Sequence, residues 1–321
     1  MALYLGKNKV TPVGLISSMK FFFDAGGKCQ GSTATSFDMC WQYDDTVNVT
    51  DMTSMFENCS KITSIPNFNT SNVTYMTSMF ENCSKLTSIP NFNTSNVTKM
   101  NNMFFGCSSL TTVPLFNTSN VTNMFNMFYG CSDLTTVPLF DTSSVTSMYG
   151  MFYRCYHLIT IPLFDTSNVT DMSQMLVSSR LTDVPLFNTS KVKSMYGMFD
   201  SCPNITTVPL FDTSSVTSME YMFNNCPKLT TVPRLDTSKV TNMSYMFRNC
   251  RALETIHMIN INANLDISSS TKFTREALVE IIGNLKAQTS GNKTLTMGAT
   301  NLAKLTDEDK AIATNKRWTL K

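Results

Sequence analysis

The sequence predicts a repeat solenoid, a right-handed coil of about nine 24-residue turns made of short parallel strands and short helical turns and capped at both ends. Three observations predict it. First, Val49, Val73, Val97, Val121, Val145, Val169, Val192, Val216 and Val240 each open the same pattern, Val-Thr-x-Met-x-x-Met-Phe-x-x-Cys-x-x-Leu-Thr-x-Val-Pro-x-Phe-Asp-Thr-Ser-x. The eight steps between them cover 191 residues, seven of 24 and one of 23. A fixed period of about 20 to 30 residues marks units too small to bury an apolar face alone, so that stacking supplies the core. Second, 18 of the 23 methionines and eight of the ten cysteines fall in fixed slots of the pattern. Third, both ends depart from it, as capping units of an array must.

The elements follow in chain order. Leu3-Tyr4-Leu5 and Val10-Thr11 flank Gly6-Lys7-Asn8-Lys9, a small hairpin. Phe37, Met39, Trp41 and Tyr43 then alternate with smaller or polar residues, the period of a half-buried strand that covers the open end of the array. Asp45-Thr46-Val47-Asn48 already imitates the repeat turn, so residues 1–48 read as an N-terminal cap and 49–263 as the solenoid. Within one unit, Leu110-Thr-Thr-Val113-Pro114-Leu115 carries apolar residues at the first, fourth and sixth places, the spacing of a short leucine-rich-repeat strand. Phe116-Asn117-Thr118-Ser119-Asn120 is a turn, because Asx and hydroxyl side chains bond their own backbone two residues on. Val121-Thr122-Asn123-Met124 is a second extended piece, and Met127-Phe128-Tyr129-Gly130-Cys131 a tight or single helical turn.

Residues 264–321 read as a helix-bearing C-terminal cap. Thr274 is the N-cap of a first helix, with a staple between Phe273 and Leu278 and with Leu278, Ile281, Ile282 and Leu285 on one face. Thr294-Leu295-Thr296-Met297 is a strand, Thr306 with Asp309 three residues on starts a second helix, and Trp318-Thr319-Leu320 closes the chain. Thr294 and Trp318 lie 24 residues apart, so the cap keeps the period of the array.

The slot residues read as core. Met fills irregular gaps and packs on aromatic edges, which outweighs a copper reading of so much thioether. The cysteine slot (Cys59, Cys83, Cys107, Cys131, Cys155, Cys202, Cys226, Cys250, with Ser179 in the sixth unit) reads as a buried free-thiol ladder, and Cys29 with Cys40 as the one plausible disulfide pair. Charged residues are 15% with a formal net charge of +2 and no basic run, which argues against nucleic-acid binding. No stretch approaches the roughly 20 apolar residues of a membrane helix, so no membrane insertion is expected. Lys7 and Lys9 interrupt the only candidate for a signal peptide, so a protein acting outside the cell is expected to leave by another route.

Catalytic, metal and cofactor sites are not expected. Neither His157 nor His257 lies in a run offering a nucleophile with an orienting acid. The turn positions Asp45, Asn69, Asn93, Asn117, Asp141, Asp165, Asn188, Asp212 and Asp236 include four neutral Asn, too few charges for calcium, so they read as turn caps. The variable slots carry more information. The slot after Met-Phe holds Phe105, Tyr129 and Tyr153 in the middle coils, the slot after the first Met holds Phe125, Tyr149 and Tyr196, and Tyr156, Tyr221 and Tyr245 add to the same side. These positions are not needed for the core, so they are either an exposed binding stripe, with Phe105, Phe125, Tyr129, Tyr149, Tyr153, Tyr156 and Tyr196 as its candidates, or aromatic rows that stack and shield the loops.

The units, for instance Asp141-Thr142-Ser143-Ser144-Val145-Thr146-Ser147-Met148-Tyr149-Gly150-Met151-Phe152, resemble the BspA-like leucine-rich repeat family of bacterial, mycoplasmal and protozoan surface proteins over about residues 45 to 256. The resemblance implies a surface-exposed, often adhesive recognition scaffold without enzymatic activity. The opening Leu-Tyr-Leu-Gly and the ending Lys-Leu-Thr-Asp-Glu-Asp-Lys-Ala-Ile-Ala-Thr-Asn resemble repeat proteins of phages and prophages of gut bacteria. The expected role is therefore a phage tail fibre or receptor-binding component of the virion, contacting a bacterial surface protein or glycan and joining other tail proteins through the N-terminal hairpin. Release by lysis would need no signal. The alternative is a cell-surface adhesin.

Overall fold

The computed structural model describes residues 3–5, 8–10, 46–65 and 67–321. Strands β1 (Leu3–Leu5) and β2 (Asn8–Val10) pair antiparallel with Leu3 opposite Val10 and Leu5 opposite Asn8. This is the expected hairpin, with its second strand starting at Asn8 rather than Val10. The expected strand through Phe37, Met39, Trp41 and Tyr43 and the pair Cys29–Cys40 lie outside the described residues.

The array is a stack of nine coils joined by one unbroken parallel ladder, Asp51–Tyr75–Lys99–Asn123–Ser147–Asp171–Ser194–Ser218–Asn242. Parallel pairing at one residue per coil places successive coils about 4.8 Å apart. The segment after each bridge repeats one hydrogen-bond scheme. In the first coil the N–H groups of Met52, Ser54, Phe56 and Asn58 donate to Tyr75, Thr77, Met79 and Glu81 of the next coil, while Met55, Glu57 and Cys59 donate back to Met52, Ser54 and Phe56. Of the two expectations for this segment, a tight or a single helical turn, the first holds: it is a run of tight turns stacked coil on coil. Two residues per coil hold positive φ, such as Ser54 and Asn58 or Asn126 and Gly130. A helix would turn every N–H inward along its own axis; alternating left-handed residues aim every second N–H at the neighbouring coil.

The leucine-slot segment is also corrected. Over most of the array it forms no strand, and bonds such as Thr87 N to Thr63 O and Thr135 N to Thr111 O are its backbone links to the previous coil. Proline follows two or three residues later in each coil and has no N–H to extend the ladder. The exception tests the explanation. Where the pattern puts Pro233 and the next coil has His257, the His257 N–H donates to Val232 O, and strands β3 (Thr231–Val232) and β4 (Thr255–Ile256) pair in parallel.

Every apolar slot of the pattern points inward. Val, both Met, Phe, Cys and Leu are buried from the first coil to the ninth. The Phe of the Met-Phe pair stacks on its equivalents along the array, with ring centroids 5.4 Å apart for Phe56–Phe80 and 5.7 Å for Phe128–Phe152. The file is interrupted only at Leu176, in the coil that also lacks one residue and carries buried Ser179 in place of Cys. Each buried side chain of this kind contributes roughly 1.5–3 kcal/mol.

Past the ninth coil the parallel pairing continues. Ile261 bridges to Leu285, and strands β5 (Leu265–Asp266), β6 (Lys293–Thr296) and β7 (Trp318–Leu320) form a parallel sheet in that order. Thr294 lies opposite Thr319, so the register is 25 residues, one more than the spacing from Thr294 to Trp318 suggests. Helix α1 (Arg275–Gly283) joins β5 to β6, and the short helix α2 (Ala299–Leu302), which the sequence reading lacks, and α3 (Asp307–Asn315) join β6 to β7. Thr274 caps α1 by accepting from Ala277 N, and Thr306 with Asp309 forms the expected reciprocal capping box of α3. Asp309 also receives both Nε and Nη2 of Arg275 at 2.8 Å, which ties the two helices together. Leu278, Ile281, Ile282 and Leu285 are all buried.

Candidate recognition face

Residues that leave the core alone are displayed in straight files, because each slot recurs once per coil. Phe105, Tyr129 and Tyr153 stack face to face, with centroids 4.5 and 4.4 Å apart and interplanar angles of 9° and 3°. Beside them Phe125 stacks on Tyr149 at 5.0 Å. The Tyr149 hydroxyl donates to Gln174 Oε1 at 2.5 Å. Tyr196 meets Tyr221 edge-on at 5.9 Å, and Tyr221 stacks on Tyr245. Six of the seven sequence candidates thus belong to stacked or edge-packed files and are half-buried; Tyr156 stands apart from the files, just past Cys155, and is 41% exposed. Stacking covers the ring faces in the middle of a file and leaves the ring edges as the part of each ring a partner can reach. Partial burial raises the phenol pKa values of Tyr129, Tyr149 and Tyr196, so these hydroxyls stay protonated donors at neutral pH.

A second file escapes the sequence reading. Leu115, Leu139, Leu163, Leu186 and Leu210 are each 60–62% exposed, between Asn67 and Asn91 at one end and Arg234 at the other. The signal was the variable place between Pro and Phe, which is leucine in five successive coils. Its assignment to the interior, as the sixth residue of an apolar strand, holds for none of these coils. Proline turns the chain so that the Phe after it, rather than the Leu, enters the core.

The polar slots serve the backbone. The Thr of Phe-Asx-Thr-Ser is buried, and its hydroxyl donates to the Asx carbonyl of the following coil, as Thr118 Oγ1 does to Asp141 O at 2.7 Å and Thr142 Oγ1 to Asp165 O at 2.7 Å. The Asx side chain accepts from the Ser two residues on, from both N and Oγ of Ser143 at Asp141. This is the expected turn cap. It holds the carboxyls of Asp141 and Asp212 below the usual range, through the Ser hydroxyl first and its N–H second; at Asp165 the Ser167 N–H leads. Each thiol of the cysteine file donates to a Phe-slot carbonyl of the preceding coil, for example Cys107 Sγ to Phe80 O at 3.0 Å. Burial pushes the thiols of Cys83 and Cys250 up to about 12, so they are not nucleophiles at neutral pH. Cys59 departs from the free-thiol ladder, being disulfide-bonded with its partner outside the described residues. The end coil has only one stacked neighbour within the array, which leaves its slot open to such a bond.

Among the described residues no three His, Cys, Asp or Glu side chains come together as metal ligands, and no helix is long and apolar enough to cross a membrane. His257 Nδ1 lies 2.8 Å from Glu280 Oε1 and His157 Nδ1 2.8 Å from Ser132 O.

The family described as "Mycoplasma protein of unknown function, DUF285" matches the chain in four overlapping stretches, residues 19–137, 86–183, 110–207 and 177–277. No curated protein matches. Among solved structures, the chain is similar to a leucine-rich repeat protein from Bacteroides ovatus ATCC 8483, at 17% identity over 84% of this chain and 86% of that one, with a TM-score of 0.32.

Proposed function

Because the chain belongs to the repeat family described as mycoplasma protein of unknown function, DUF285, we propose that it is a non-enzymatic recognition scaffold of the BspA-like leucine-rich repeat type, acting as a cell-surface adhesin. The observation that carries this reading is the pair of aromatic files, Phe105–Tyr129–Tyr153 and Phe125–Tyr149, standing in slots that the core does not use. Aromatic side chains supply large contact area at low entropic cost, and a few such anchors carry most of an interface's energy. The stacked coils hold them at fixed spacing, so they meet a partner already ordered. The partner is a surface protein or glycan of another cell. A phage tail fibre would use the same face, but that reading rests on short terminal segments, and the repeat family supports an adhesin at least as directly.

Changing Tyr129, Tyr149 and Tyr153 together to Ser is expected to abolish attachment in a whole-cell pull-down. The Met, Phe and Cys files are untouched by these changes, so the variant should still fold, with a melting temperature lowered only by the lost ring stacking. Full attachment by the folded triple variant would remove this face from the function.

A further inference from the structure

We propose that a cleft at one end of the aromatic files is a binding subsite for an acidic sugar residue. This rests on the recognition reading above and names the ligand class for that face. The cleft, about 280 Å³, is lined by Lys99, Asn101, Thr122, Asn123, Phe125 and Thr146. It exists because one slot steps from Asn101 in one coil to Phe125 in the next. Phe125 stacks on Tyr149 in the coil beyond, with the rings inclined by 14°. Its other face therefore looks back over the smaller Asn101 and forms the wall of the recess.

The polar lining combines a cation and two carboxamides with the Thr122 and Thr146 hydroxyls, which can accept as well as donate. Asn101 Oδ1 accepts from Thr77 Oγ1 at 3.1 Å, and Asn123 Oδ1 accepts from Phe125 N at 2.8 Å. Both carboxamides are thereby fixed with their NH2 groups left over, and neither NH2 has an acceptor among the described residues. Lys99 Nζ rests over the Tyr75 ring, 5.5 Å from its centroid, and is in no ion pair among the described residues. No carboxylate lines the cleft. A cation and two amide donors beside an open aromatic face select a ligand with an apolar face and several acceptors, one of them anionic. A pyranose bearing a carboxylate fits: its C–H face lies on Phe125, its hydroxyl oxygens accept from Asn101 and Asn123, and its carboxylate meets Lys99.

The full chain should be titrated with a trisaccharide of hexuronic acid and with the same trisaccharide after reduction of its carboxyl groups to alcohols, followed by calorimetry or ligand-observed NMR. The acidic form should bind at least tenfold more tightly than the reduced one. Lys99→Gln should erase that difference with melting unchanged, because Lys99 is exposed; Phe125→Ala should weaken both forms and lower melting modestly, because it removes the stack on Tyr149; and Phe125→Tyr should retain both forms. Binding of neither form, equal binding of both, or an unaltered preference in Lys99→Gln would overturn the assignment. The two readings fail separately. If Lys99→Gln and Phe125→Ala keep whole-cell attachment while the tyrosine triple variant loses it, the acidic-sugar subsite falls and the recognition face stands; if the triple variant also attaches, that face falls as well.

Discussion

Thr118 shows how much of this fold is decided by single atoms. Its methyl lies in a fully buried slot while its hydroxyl reaches the Asp141 carbonyl of the next coil. Thr118→Val keeps the shape but removes the donor to Asp141 O, so a loss of about 0.5–1.5 kcal/mol is expected, read as a lowered denaturation midpoint in urea. An unchanged midpoint would mean that the threonine file contributes no more than strand propensity. A glycine gives a sharper test. Gly150 has φ +59°, and a Cβ there would collide with Asn126 Oδ1 of the preceding coil. Gly150→Ala should therefore be destabilising by about 1–3 kcal/mol, and Asn126→Gly in the same chain should recover part of that loss, since it clears the space the methyl needs. If the two changes are merely additive, the collision is not what excludes a side chain at Gly150. Such atoms were partly legible in advance: that Met, Phe and Cys are core follows from their fixed slots. The thiol-to-carbonyl bonds of the cysteine file do not, because a buried free Cys reads equally well as a small hydrophobe.

At the scale of the element, the Asx turn is the part that responds to pH. Asp141, Asp165 and Asp212 have folded pKa values held below their unfolded ones by the serine two residues on. Their contribution is present above the unfolded carboxylate range, near pH 4, and is lost as the pH falls through the depressed folded values. Changing all three to Asn, the residue that Asn69, Asn93, Asn117 and Asn188 already supply in other coils, should flatten the fall of melting temperature below pH 4 and leave it nearly unchanged at pH 7. A fall as steep as in the parent chain would place the acid sensitivity elsewhere. The turn was readable because an Asx side chain bonds two residues on whatever surrounds it. The strands were not, because the sequence pattern around Leu110 to Leu115 weighs propensity and does not register the lost donor at Pro114. The ladder runs instead through the second extended piece, residues 121–124 and their equivalents, at one bridge residue per coil such as Lys99 and Asn123. At residues 127–131 the sequence leaves a tight and a helical turn open, and the positive φ of Asn126 and Gly130 decides for tight turns.

For the whole molecule, the period alone implied nine stacked coils, since stacking is what buries the recurring apolar slots of units too small to bury them alone. The binding face was legible only as a choice of slots. Which rings present a face and which only an edge depends on neighbours one coil away, and in the file from Leu115 to Leu210 an apolar residue recurring in successive units belongs to the outside. The C-terminal region tests the architecture as a whole. An array of this kind has an apolar end wherever it stops, and here Ile261 N donates to Asn284 O while Ser270 Oγ donates to Cys250 O, so the segment from 264 onward covers the last coils with both backbone and side chains. Arg275 and Asp309 then clasp its helices. Removing residues 264–321 should uncover buried Met258, Ile256 and Ile261 and drive the chain into aggregates, visible by light scattering after size-exclusion chromatography, because an uncapped repeat exposes its core. Reversing the Arg275–Asp309 pair alone, by Arg275→Glu, should leave the coils soluble but loosen the cap, lowering the first thermal transition without changing the last. A truncated chain that stays monomeric and melts as the full chain does would make the helices an appendage, and the stability of the ninth coil would then have to come from within the array itself.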